Sequence, residues 1–364
     1  MDTKVRHHNL DLLKVIAIFA VCIYHFWYGG YSFSSVAATF LNNYTYPFLS
    51  ICVPMFFMVN GALLLNREGF NAKKHYQGLL RLVAQYFVWY ALTTLIMGIL
   101  AGYDFFALGK AHLLNVFFFQ LPVEEIEVNH LWFIPALCCV YMLYPFYKAI
   151  FSQDNADSKL ALKVFLIFIY VYNFLIHDFD NFKALFPHLR SIATYALNGF
   201  HPFAGYIATM SFYFLLGGIL HKNREKLKKI RAFWGIPMIL AGLCLAYATR
   251  YVTALTNPIF DIVFDAYNTN GTLLCALGTW LLAGKVNFSF LQKVKLLPLI
   301  RCISENTLTI FYTHWILGSL IRKFCTYPVG PLWNLLHGVL LVSVGTLFGL
   351  ALKRIPLLKH LITR

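Results

Sequence analysis

The chain has 364 residues, of which 59% are apolar, 18% aromatic and only 12% charged, about half the charged share of an ordinary soluble domain. Long uncharged runs must therefore follow one another, which excludes a soluble enzyme, a disordered chain or a collagen and points to an integral membrane protein. The net charge of +15 does not imply nucleic acid, because the basic residues sit in short clusters between apolar runs, as in loops of a multispanning protein.

A membrane span needs roughly 20 mainly apolar residues. Ten runs qualify, near 10 to 28, 45 to 65, 82 to 102, 130 to 150, 162 to 177, 203 to 221, 233 to 252, 262 to 284, 303 to 321 and 332 to 352. The expected architecture is an all-α polytopic membrane protein of about ten transmembrane helices, with residues 1–364 forming one domain. Lys4, Arg6, His7 and His8 precede the first run as in a secretory signal. The following Cys22-Ile-Tyr-His-Phe-Trp-Tyr lacks a small-residue cleavage site, so the segment is expected to stay as the first span.

With both termini in the cytoplasm, 23 of the 30 Lys and Arg residues fall in inner segments, six (Lys110, Lys183, Arg190, Arg250, Arg322 and Lys323) fall outside, and Lys14 lies within the first span. That asymmetry predicts cytoplasmic termini in a cell membrane. Glu124, Glu125 and Glu127 then belong to an outer loop. The eight cysteines show no C-x-x-C spacing, H-E-x-x-H is absent, and no loop combines His and acids at ligand spacing. Neither a disulfide framework nor a metal is expected.

The first span carries groups that a lipid-facing helix would avoid. Lys14 and His25 are eleven residues apart, about 20° from three whole turns at 100° per residue, so both leave one face of the helix, with Asp11 close to it. The rise is roughly 16 Å, which leaves Lys14 near the cytoplasmic end and His25 beyond the midplane. Snorkelling beside Asp11 is the ordinary explanation for Lys14. A deep histidine points instead to a polar interior or pathway.

In the second span, Pro54 and Asn60-Gly61 place a freed carbonyl, an amide and a close-approach backbone site in mid-membrane, suited either to a cavity or to helix packing. Lys73, Lys74 and Arg81 follow, as positive-inside topology requires, and the same charges suit a phosphate-bearing cytoplasmic ligand. His130 and Trp132 open the fourth span, where interfacial anchoring by Trp is the ordinary reading. In the ninth span, Ser304 reads as an N-cap and Glu305 as a first-turn acid. His314 then lies about 17 Å above the start, at a depth matching His25.

At these segments the sequence resembles the membrane acyltransferase family three, bacterial multispanning proteins that acylate hydroxyls of cell-envelope glycans. The resemblance rests on Leu10-Asp11-Leu12-Leu13-Lys14 followed ten residues on by His25, Pro54-x-Phe56-Phe57-x-x-Asn60-Gly61, Arg81, His130-Leu-Trp132-Phe with Tyr141 and Pro145, and Ser304 through His314. It implies transfer of an acyl group, usually acetyl, from cytoplasmic acyl-CoA to a sugar hydroxyl at or beyond the bacterial inner membrane. Lys14 stands where many relatives have Arg, Asn60 replaces the more usual Ser, and no C-terminal esterase-like domain is expected.

On this reading His25 is the base, while His314, Asn60 or Tyr312 orients the acceptor or stabilises the oxyanion. Lys14, Arg81, Lys73 and Lys74 bind the phosphates of the donor, acetyl-CoA. The expected partners are acyl-CoA, an envelope glycan or lipid-linked sugar, and membrane lipid, with no nucleic acid. A transporter of a polysaccharide or lipid-linked intermediate is the competing class, since it too needs a polar path with an intramembrane histidine. Only the enzyme needs phosphate-binding charge beneath that histidine.

Overall fold

Each of the ten apolar runs overlaps helical structure in the computed structural model, which describes residues 6–26, 48–104, 106, 109, 128–183, 205–256, 266–325, 330–356 and 362; among the described residues, five helices are long and apolar enough to cross a membrane. The outer-loop residues Glu124, Glu125, Glu127, Lys110 and Arg190 lie outside the described residues. No strand occurs among the described residues, and the chain is an all-α protein that fits a polytopic membrane fold. The helices are α1 (His8–His25), α2 (Cys52–Leu65), α3 (Ala72–Ala101), α4 (Phe133–Ser152), α5 (Ala156–Tyr170), α6 (Ile176–Lys183), α7 (Gly205–Lys222), α8 (Arg224–Lys229), α9 (Gly235–Thr256), α10 (Asn270–Ala283), α11 (Phe288–Lys293), α12 (Leu296–Phe324) and α13 (Pro331–Arg354).

Local chemistry sets several ends. Asn71 caps α3 by accepting from the Lys74 amide at 2.8 Å, and Gly102 ends it with a φ of 86°, the left-handed conformation that glycine adopts without a Cβ penalty. Asn155 caps α5 through the Ser158 amide at 2.7 Å. A π-helical turn, Val171–Leu175, joins α5 to α6. The continuous apolar segment Ala156–Asp180 is 25 residues long, more than the sequence pattern suggested. Lys159 and Lys163 masked its first turns.

The ninth span differs most from expectation. Ser304 is not an N-cap, because α12 begins at Leu296 and runs 29 residues, about 43 Å at 1.5 Å per residue. Pro298 is its third residue, where a missing N–H costs no intrahelical bond. The helix therefore starts two turns before the motif that resembled a cap. Ser304 donates instead to the Asp11 carboxylate of α1 at 2.6 Å.

Side-chain contacts fix the relative directions of the helices around the site. α1 runs parallel to α12, since Asp11 meets Ser304 at one end and His25 meets His314 at the other. α13 runs antiparallel to both, with Gly338 against Ile23 and Gly349 against Asn306. α4 runs parallel to α2: Tyr141 donates to Asn60 at 2.7 Å, Tyr144 to the Leu64 carbonyl at 3.0 Å and Lys148 to the Leu65 carbonyl at 2.7 Å. Lys14, Ser304, Leu65, Lys148 and Lys353 thus share one end of the bundle, and His25 and His314 occupy the other.

Gly61 supports packing rather than chemistry. A Cβ placed there would run into the backbone carbonyl of Phe214 on α7, and one on Gly217 into the Met58 carbonyl of α2. Backbone cannot yield as a flexible side chain can, so the two helices approach through small residues. Gly61→Val is expected to destabilise the protein by about 1–3 kcal/mol, the usual cost of overpacking. The check is a thermal midpoint in detergent several degrees lower; an unchanged midpoint would contradict this contact.

Candidate functional site

Three histidines from three helical segments converge at one end of the bundle. The His25 ring lies 5.3 Å from His314 and 6.4 Å from His130, and His130 lies 5.3 Å from His314, centroid to centroid. Trp315 closes the group, stacked on His130 at 5.0 Å and set edge-on to His25 at 5.3 Å. His130 and His314 are buried, whereas His25 is partly buried. Phe26 packs between this cluster and His337 of α13, 5.3 Å from the latter ring.

Hydrogen bonding assigns one proton in the cluster. His314 Nδ1 lies 2.5 Å from the Phe311 carbonyl oxygen, which can only accept, so Nδ1 carries the hydrogen. Nε2 of neutral His314 is then an acceptor, and it is buried with no partner among the described residues. Both nitrogens of His130 and the indole Nε1 of Trp315 are also buried without described partners. Unmatched polar atoms this close together are costly in an apolar setting, which marks the place where a ligand's polar groups would be received.

Lys14, toward the other end of α1, lines a cavity of about 400 Å³, within the size range of small-molecule sites. Lys14, Lys353, Ser304 and Glu305 line one end, Asn60 and Leu63 the flank, and Phe133 and Phe311 the far end. Phe311 is also 5.7 Å from His314 and 6.2 Å from His130, so one aromatic ring separates the cavity from the histidines. Along α12, Ser304 to Phe311 spans roughly 10 Å.

Charge at the Lys14 end is held by a network. Arg6 Nε bonds Asp11 at 2.6 Å and its Nη1 reaches Glu305 at 2.5 Å. The Asp11 hydrogen bond raises the Arg6 pKa above its already high value, so the guanidinium stays charged at every accessible pH and bridges two carboxylates, offsetting one of their two negative charges. Lys353 donates to the Glu305 carbonyl at 3.1 Å. Arg6, Lys14 and Lys353 together outnumber Asp11 and Glu305 by one charge, so the Lys14 end of the cavity is net positive.

The expected site residues separate accordingly. His25 and His314 come together. Asn60 goes with Lys14, holding the cavity flank; it accepts from Tyr141 and donates to the Phe56 carbonyl at 2.7 Å. Tyr312 stacks on Trp89 of α3 at 5.1 Å, a packing contact on another face of α12. Lys73, Lys74 and Arg81 are exposed on α3 and do not line the Lys14 cavity. His130, Trp315 and Lys353 were not singled out for chemistry by sequence. The signal for His130 was its topological level, the outer end of its span, which is also the level of His25 and His314. Among the described residues no group of His, Cys, Asp and Glu side chains has the geometry to hold a metal ion, and all eight cysteines are free thiols.

A family model described as an acyltransferase domain matches residues 7–354. No curated protein and no solved structure matches the chain.

Proposed function

We propose, from the premise that this chain belongs to acyltransferase family 3, that it moves an acetyl group from cytoplasmic acetyl-CoA to a hydroxyl of a cell-envelope carbohydrate. It is a membrane acyltransferase; the donor, the acyl group and the acceptor are our reading. The observation that carries it is the joined arrangement of a positive cavity at Lys14 and Lys353 with a histidine cluster beyond Phe311. A donor entering from the Lys14 end keeps its phosphates beside the two ammonium groups. Its pantetheine arm lies along Asn60 and Leu63 and presents the thioester to the histidines. The exposed Lys73, Lys74 and Arg81 raise the local concentration of an anionic donor without touching it.

The chemistry then follows from what the cluster holds. The acceptor hydroxyl loses its proton to His25 as its oxygen attacks the thioester carbon, forming a tetrahedral intermediate. The new oxyanion needs N–H donors, which Trp315 Nε1 supplies and a neutral His314, with Nε2 as an acceptor, does not. His314 instead receives a ring N–H or a hydroxyl proton and so orients His25 or the acceptor. Collapse expels the CoA thiolate, which takes the proton from the His25 imidazolium. A deacylated donor and an O-acetylated sugar are the products.

The direct test of the activity is mass spectrometry of envelope glycans from cells with and without the gene. Loss of about 42 mass units per modified sugar, restored by the intact gene, is expected, since each acetyl replaces a hydroxyl hydrogen; identical glycan spectra would contradict the reading. Orientation is tested separately. Both termini and the 222–231 segment are expected in the cytoplasm, so a cysteine placed at position 226 should escape a membrane-impermeant thiol reagent in intact cells. Labelling there would reverse the donor side.

A further inference from the structure

A second cavity, of about 660 Å³, opens at the same end of the bundle as Lys14 but between the C-terminal ends of α2, α4 and α7. Arg67, Lys148 and Lys222 line it, against a single lining carboxylate, Glu68. Its walls are tied together: Asn66 donates to the Ala62 and Gly218 carbonyls at 3.0 Å, and Lys148 donates to the Leu65 and Arg67 carbonyls at 2.7 Å. Lys148 thereby commits two of its three N–H groups and keeps one. Lys222 sits 5.2 Å over the Phe151 ring and 3.9 Å from Asp154, which pairs more closely with Lys159 at 2.8 Å. Cations at helix C-termini are favoured by the helix dipole. That accounts for each one singly and leaves unexplained why three of them ring one cavity.

The rest of the lining says what the ligand is. Pro145, Ala149 and Phe151 make one wall apolar. The wall continues into Met142, Phe146 and Ile150, exposed by 52%, 67% and 40% at a spacing of four residues, one continuous stripe down α4. A soluble phosphate ester would use the cations and leave that stripe bare. A diacyl lipid uses both, with its phosphate over Arg67 and Lys222 and its chains along the stripe. We propose that this cavity is a binding site for an anionic glycerophospholipid of the adjoining leaflet. The chemistry shared with any phosphate ester is recognition by clustered cations, as in basic pockets between transmembrane helices that hold anionic headgroups. This site is separate from the acyl-transfer cluster and does not depend on the assignment of the acyl donor.

The test is native mass spectrometry of the full-length protein in neutral detergent, without acyl-CoA. It is titrated with dioctanoyl phosphatidylglycerol or dioctanoyl phosphatidylcholine, and the soluble competitors are inorganic phosphate and adenosine 3′,5′-bisphosphate. Saturable phosphatidylglycerol binding at least about 10-fold tighter than phosphatidylcholine binding is expected, weakened about 10-fold or more in Arg67→Ala/Lys222→Ala. Both replaced side chains are exposed at the surface, and an unchanged thermal midpoint confirms that the variant is folded. Equal binding of the two lipids by the wild-type protein would overturn the proposal, as would full affinity in the double variant. Displacement of the lipid by the bisphosphate or by phosphate would overturn it too, identifying a soluble phosphate site.

Discussion

Replacing His25 with alanine is expected to reduce acyl transfer by 10²- to 10⁴-fold, the usual range for removal of a general base, while the protein still inserts and is produced at near-normal level. The imidazole is partly buried and contributes ring contacts to His130, His314 and Trp315, and the alanine would replace them with a small void. Stability should therefore change far less than turnover, and the thermal midpoint in detergent provides the control. Donor binding should persist, because the phosphates are held roughly 16 Å away at Lys14. Retention of more than about a tenth of wild-type transfer in a folded variant would exclude His25 as the base on that magnitude.

Lys14→Ala is expected to act on the other half of the site. A hydrogen bond to a charged group contributes about 1.5–3 kcal/mol, so its loss should raise the KM for acyl-CoA by about 10- to 100-fold. Lys14→Arg should keep most of the activity, because a phosphate contact needs positive charge first and fork geometry second. Lys353, which shares the cavity, leaves residual affinity in the alanine variant. A fall in kcat with unchanged KM would place Lys14 in the chemical step rather than at the donor phosphates.

The two halves were legible in the sequence to different degrees, for a physical reason. Lys14 and His25 share a helix, so periodicity alone puts them on one face at a known separation. His314 was matched to His25 only by depth, and the structure places their rings 5.3 Å apart. His130 and Trp315 share that level too, but level alone does not show that a side chain enters the cluster. His130 belongs to a short turn before α4 and meets the cluster through packing between helices distant in sequence, while its neighbour Trp132 gave it an ordinary interfacial explanation.

Charge was the least legible feature. Lys73, Lys74 and Arg81 look equivalent to Lys14 as phosphate ligands when only composition is seen. Burial of Leu79, Leu82 and Trp89 fixes which face of α3 turns inward. Arg81 is about 100° round the helix from Leu82 and Lys73 about 180°, so both point away. Lys353 reaches the cavity from the last turn of α13, where the sequence offered only another positive-inside residue. Ser304 misled for the same local reason: its hydroxyl suits a cap, but Asp11 on a different helix is what it meets.

Acyl-CoA is expected to bind at Lys14 and to give up its acyl group at His25, with Phe311 between the two. The most direct measurement uses purified full-length protein in lipid nanodiscs with radiolabelled acetyl-CoA, recording equilibrium binding and transfer of label to an envelope-glycan extract. Saturable binding displaced by CoA and label in the glycan are expected for wild type, binding without transfer for His25→Ala, and weakened binding for Lys14→Ala. Absence of CoA-displaceable binding in well-folded wild-type protein would contradict the account and favour a transporter of envelope glycans.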